Sequence, residues 1–153
     1  MFMEDCIVRH AKKEDLQGVF NLVMELAIYE KEPEAVVTSL DDYVKAFDEG
    51  LIKILVAEHF EDGVIGMCLG FTAFSTWKGK MMFLEDFVVK EKYRRLKIGE
   101  LLWNDFISLS KSLDCKLLKW QVLDWNEPAI KFYEKKHAQI DKNWWSCRLF
   151  FEA

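Results

Sequence analysis

Between Lys80 and Val122 the chain must pass from one strand to another by way of a helix, and nothing else in it constrains the fold as much. Lys80 to Val89 is rich in β-formers, Lys90-Glu91-Lys92-Tyr93-Arg94-Arg95 is a basic loop, and Ile98 to Leu113 has helical spacing. Ile98, Leu101, Leu102, Phe106 and Leu109 fall on one side of that helix, and Leu117 to Val122 reads as the next strand. A strand–helix–strand crossover belongs to an α/β sheet. Upstream, however, Glu61-Asp62-Gly63 and Lys78-Gly79 are tight turns between β-rich runs, Ile52 to His59, Val64 to Phe74 and Lys80 to Val89. Antiparallel hairpins followed by a crossover predict a mixed sheet with helices on both faces.

The remaining segments fit that plan. Cys6 to His10 reads as a first strand, and about Lys13 to Glu30 as a helix whose Leu16, Val19, Phe20, Val23, Leu26 and Ala27 form one apolar stripe. Thr38 or Ser39 can cap a second helix that Gly50 ends. Asn126 caps a helix running to about Lys136, with Pro128 in its first turn, and Trp144 to Phe151 reads as a final strand. The expected order is β-α-α-β-β-β-α-β-α-β.

The chain has 153 residues, and no linker or repeat interrupts it, so residues 1–153 are expected to form a single domain. Apolar residues make up 51%, enough for a core, yet no run approaches a membrane span. The acidic start Met1-Phe2-Met3-Glu4-Asp5 lacks a signal peptide's basic and apolar regions, so a cytoplasmic location is expected. A net charge of −5 argues against nucleic acid as partner and suits a cationic substrate. Cys6, Cys68, Cys115 and Cys147 form no C-x-x-C pair and are expected to be buried, reduced thiols. His10, His59 and His137 are scattered, so no metal is expected.

Two places carry chemistry. At Ile98-Gly99 a helix N-terminus opens beside Arg94, Arg95 and Lys97, where helix dipole and side-chain charge both favour phosphate. Glu85 and Asp86 sit inside the apolar run Phe83-Leu84-Glu85-Asp86-Phe87-Val88-Val89, where burial without partners is costly. Strand alternation puts these two acids on opposite faces.

Arg94-Arg95-Leu96-Lys97-Ile98-Gly99 resembles the Arg/Gln-x-x-Gly-x-Gly/Ala loop of acetyl-CoA N-acetyltransferases at Arg94 and Gly99, and departs from it at Lys97, where glycine is usual. Leu26-Ala27-Ile28-Tyr29-Glu30, Ser75-Thr76-Trp77-Lys78-Gly79-Lys80, Phe83 to Val89 and Leu123 to Tyr133 resemble, in the same order, segments of the diamine (spermidine/spermine) N-acetyltransferase family. The Ser-Thr-Trp-Lys-Gly segment resembles its thialysine-acetylating branch more than the polyamine branch. The resemblance implies the acyl-CoA N-acetyltransferase fold, a homodimer with the C-terminal strand near its interface, and direct transfer from acetyl-CoA to a small primary amine.

It also implies roles. Tyr133 would be the general acid. Glu85 would hold the amine and, through water, serve as base. Backbone groups of Phe87, Val88 and Val89 would hold the pantetheine arm like an added strand. Arg94, Arg95, Leu96, Lys97, Ile98, Gly99 and Glu100 would form the pyrophosphate loop, and Asn126 would touch CoA while capping its helix. Tyr29, Glu30, Ser75, Thr76 and Trp77 would join Glu85 on the substrate side. Trp144 and Trp145 stand where polyamine-type relatives can carry acids, so a short thialysine- or lysine-like amine is expected as substrate, with spermine a poor one. A non-catalytic acyl-CoA-sensing module and a protein N-acetyltransferase are the alternatives.

Overall fold

A computed structural model describes residues 5–151, so the reading of the first four residues lies outside the described part. The chain divides into two compact units after Gln121.

The first unit is built on a five-stranded sheet in the order β1-β2-β3-β4-β5. β1 is Cys6–His10, β2 Lys53–His59, β3 Gly63–Ser75, β4 Gly79–Val89 and β5 Leu117–Trp120. The first three pairings are antiparallel and β4–β5 is parallel, the mixed sheet that hairpins plus a crossover require. Helices α1 (Leu16–Tyr29), α2 (Leu40–Asp48) and α3 (Ile98–Ser112) complete the unit. The stripe of α1 buries Leu16, Val19 and Leu22 with Ile54, Val56, Met67, Leu69 and Val88, and Leu40, Tyr43, Val44 and Phe47 of α2 pack against this cluster. α3 covers the other face: the Cys68 thiol reaches the Leu102 carbonyl, and Phe87 and Trp103 lie 5.9 Å apart between ring centroids.

Local chemistry sets where the helices start. Ser39 and Asp42 make a capping box, the Asp42 carboxylate accepting from the Ser39 N–H at 2.8 Å. Asp15, at the foot of α1, accepts two hydrogen bonds from Arg9, at 2.7 and 3.0 Å, and one from the Lys12 N–H. Arg9 in turn reaches Glu58 of β2 at 2.8 Å, so β1, β2 and α1 meet at one guanidinium.

The second unit holds helix α4, Glu127–Lys135, capped as expected by Asn126, whose side-chain oxygen accepts from the Ala129 N–H. The final strand expected at Trp144 to Phe151 is absent: these residues form no regular structure, and Trp145 and Phe151 are each 90% exposed. Apolar and aromatic residues favour strands because they suit a pleated, half-buried surface. No neighbouring strand supplies one to this run among the described residues. The same segment overturns part of the cysteine expectation. All four thiols are free, and Cys6 and Cys68 are buried, but Cys115 is half-buried and Cys147 lies exposed.

Candidate active site

One cleft of about 420 Å³ opens in the first unit between the end of α1, the start of α2 and the middle of β4. Its body is apolar, from Val23, Leu26, Ala27, Val36, Ala46 and Leu69, and its charged end carries Glu30, Asp42, Glu85 and Asp86. Both neighbouring acids of β4 therefore line the same cleft, against the strand-alternation expectation.

The cause is a β-bulge. Leu84 is opposite Gly70 and Asp86 is opposite Leu69, so Glu85 is an extra residue with no partner on β3. Before the bulge Leu84 pairs with Gly70, whose missing Cβ faces Phe106 of α3; after it Phe87 packs on Trp103 of α3 while Val88 joins the α1 cluster. The extra residue exchanges the two faces of the strand and turns Asp86 to the α1 side. Strand alternation alone sets Asp86 on the face opposite Glu85, because which residue is the extra one depends on pairing with β3.

The acids load the cleft with negative charge. Burial, then Glu85 and then Glu30 push the Asp86 carboxyl up to about 7, and burial raises that of Glu30. Tyr43 of α2 also lines the cleft, and its hydroxyl is raised chiefly by burial although it is hydrogen-bonded with Thr38. A carboxyl titrating near 7 carries a proton in the folded protein that the unfolded chain has already lost between about pH 4 and pH 7. Stability should therefore fall as pH rises across that window. Thermal melts from pH 4.5 to 7.5 should show a smaller decline for Asp86→Asn; parallel curves for variant and parent would remove Asp86 as the source.

The far end of β4 lies beyond its pairing with β5. Pairing with β5 stops at Leu84–Trp120. The Lys90 N–H bonds to the Ile65 carbonyl of β3 at 2.8 Å. By antiparallel alternation Val88 also turns its polar backbone groups to β3, whereas Phe87 and Val89 turn theirs away from it. Val88 thus pairs with Met67 and buries its side chain, while the backbone groups of Phe87 and Val89 point to the β5 side of the strand. The Val89 carbonyl accepts from Arg94 Nε at 3.0 Å.

The loop that follows is held by contacts remote in sequence. The Tyr93 hydroxyl donates to Asp62 at the β2–β3 turn, Lys92 reaches the same carboxylate at 2.9 Å, and both hold it below the usual carboxylate range, Tyr93 foremost. Arg95 and Lys97 each have φ of 65°, a left-handed conformation costing about 1–2 kcal/mol for a residue other than glycine. Lys97 thus reproduces the backbone that glycine would adopt and stays exposed, directly before α3. A Cβ on Gly99 would come no closer than 3.6 Å to Phe87. Ile98 is buried, whereas Leu96, Gly99 and Glu100 are half-exposed along the first turn.

Other residues lie elsewhere. Ser75, Thr76 and Trp77 form the β3–β4 turn, where the Ser75 hydroxyl accepts from the N–H groups of Trp77 and Lys78; Trp77 is 81% exposed, and none of the three lines the cleft. Tyr29 ends α1 next to Glu30, with its ring centroid 5.7 Å from the Arg94 guanidinium carbon. In the second unit Tyr133 is buried, two turns along α4 from Asn126.

The chain is similar to known proteins along most of its length. The chain is 32% identical over 163 aligned positions to a thialysine N-epsilon-acetyltransferase of Bos taurus, covering 94% of this chain and 91% of the relative. It is 37% identical over 91 positions to an L-ornithine N5-acetyltransferase of Arabidopsis thaliana, over 59% of this chain and 40% of that one. Among solved structures, an aminoglycoside acetyltransferase from an uncultured soil metagenomic sample superposes with a TM-score of 0.80 at 12% identity, covering 97% of this chain and 98% of the other, which speaks for the fold. The sequence pattern of the acetyltransferase (GNAT) family matches residues 16–138, from the first residue of α1 to just beyond α4, and the chain belongs to that family.

Proposed function

We propose that this acetyltransferase transfers the acetyl group of acetyl-CoA to a primary amine of a small molecule, a thialysine-like amino acid or a di- or polyamine. The observation that carries the reading is the cleft with Glu30, Glu85 and Asp86 at one end of an apolar wall, a chemistry suited to an ammonium on an alkyl chain. Its volume lies within the range of small-molecule sites. The relatives named above act on amines of that kind.

The residues present fit the cosubstrate. Phe87 and Val89 turn backbone to the side of β4 on which pairing with β5 has already ended, and main-chain groups so directed are those by which an extended chain adds to a sheet. Because Arg94 occupies the Val89 carbonyl, the Val89 N–H is the group for the pantetheine arm. The left-handed turns at Arg95 and Lys97, the first N–H groups of α3 and three cationic side chains suit a pyrophosphate. Acetyl-CoA supplies an activated acyl thioester. Glu30 and Asp86 hold the ammonium, Glu85 takes its proton through water, and the Tyr133 hydroxyl gives a proton to the departing sulfur. Asn126 adds a CoA contact to its cap.

A non-catalytic acyl-CoA sensor draws mainly on Lys97, and Lys97 takes a left-handed conformation of the kind that glycine adopts readily. We place the enzyme in the cytoplasm and read it as a homodimer, the second reading drawing on the exposed apolar run Trp144, Trp145, Leu149, Phe150 and Phe151. The test of the reaction is CoA thiol release with acetyl-CoA and thialysine, lysine, putrescine, spermidine, spermine or an N-terminal peptide. Release with a small amine supports it; release with the peptide alone, or with none, overturns it.

A further inference from the structure

We infer that Tyr29 is a positioning residue for the cofactor loop, acting on acetyl-CoA binding through Arg94 rather than as a contact for the amine. The inference rests on the proposed reading of Arg94 as a pyrophosphate ligand.

Tyr29 and Glu30 are neighbours at the end of α1, yet they serve different surroundings. Glu30 lines the cleft; Tyr29 does not. The Tyr29 ring lies against the Arg94 guanidinium, within the distance at which an aromatic face attracts a cation. Arg94 is otherwise exposed, on a loop with left-handed residues at Arg95 and Lys97, and its Nε is fixed to the Val89 carbonyl at the end of β4. A guanidinium has a planar fork of five N–H donors. With Nε tied to Val89 and the plane lying near an aromatic ring, the fork loses most of the orientations an exposed arginine samples. An anion that binds it then meets a group already ordered, which strengthens binding without a new contact. The ring thus links the last turn of α1 to the loop before α3.

Steady-state kinetics and calorimetry with acetyl-CoA test this on the full chain. Tyr29→Leu, at an exposed helix end, should raise the acetyl-CoA Kd and KM about two- to fivefold, the range of an exposed cation–π contact, while leaving the amine KM within error. Tyr29→Phe keeps the ring and should restore the acetyl-CoA values. In an Arg94→Gln background Tyr29→Leu should add nothing further. A change confined to the amine KM, no effect of the leucine variant, or additive losses in the double variant would overturn the positioning role. Absence of acetyl-CoA binding to the parent protein would instead bring down the reading on which it stands.

Discussion

Tyr133→Phe is expected to lower turnover by roughly 10- to 1000-fold while acetyl-CoA affinity stays nearly unchanged. The substitution removes one hydroxyl and keeps the ring, which is buried in α4 and packs edge-on against Phe132, with centroids 5.7 Å apart. The helix remains capped by Asn126 and closed by the Tyr133 carbonyl, which accepts from Lys136 and Ala138, so its ends do not depend on the hydroxyl. What is lost is the proton donor of the proposed reaction, and positioned proton transfer contributes typically 10²–10⁴ to rate. Rate at saturating substrates and calorimetry with acetyl-CoA give the two readings. Parent-like turnover in the phenylalanine variant would remove Tyr133 from the chemistry.

Gly70→Ala should cost about 1–3 kcal/mol of stability, the usual range for overfilling a packed interior. For a chain of this length each kcal/mol lowers Tm by roughly 2–4 °C. A Cβ there would stand 2.5 Å from the Phe83 carbonyl oxygen and 2.8 Å from the Phe106 ring. The ring can turn aside, but the carbonyl is main chain beside the bulge. Relief must therefore come from shifting β4 where it presents Glu85 and Asp86, and the amine KM should rise with the loss of stability. Gly99→Ala is the matched control in thermal melts, since its Cβ would make only ordinary contacts and alanine favours a helix. Equal melting of the Gly70 variant and the parent would show that the strands part there without cost.

Periodicity and caps located α1 to α4, because the stripe on Leu16, Val19, Val23 and Leu26 and the caps Ser39 and Asn126 are local features, although the stripe left out the buried Leu22. The hairpins followed from Asp62-Gly63 and Lys78-Gly79 for the same reason, Gly63 and Gly79 both taking positive φ. Glu30 and Glu85 were legible through resemblance. Asp86 was not, since its direction is set by a residue inserted relative to β3. Trp103 escaped the apolar face assigned to α3, although it is buried between Phe87 and Trp120. The Tyr93–Asp62 contact joins positions 31 residues apart, beyond any window of local pattern. Trp144 to Phe151 misled because composition reports fitness for a strand, whereas a strand also needs a neighbour.

The bulge at Glu85 gives chain length a meaning of its own. Remove Glu85 and Leu84 is followed directly by Asp86, so β4 pairs with β3 without a break while Asp86, Phe87 and Val88 keep their partners Leu69, Cys68 and Met67, and with them their faces. What goes is one carboxylate of the cleft and the bend that an extra residue puts into a strand. The bulge is therefore slack in the chain: β4 can lose one residue at this point without moving a partner. A residue lost elsewhere along the strand has to be absorbed by ironing out the bulge, or the side chains beyond it turn over to the opposite face.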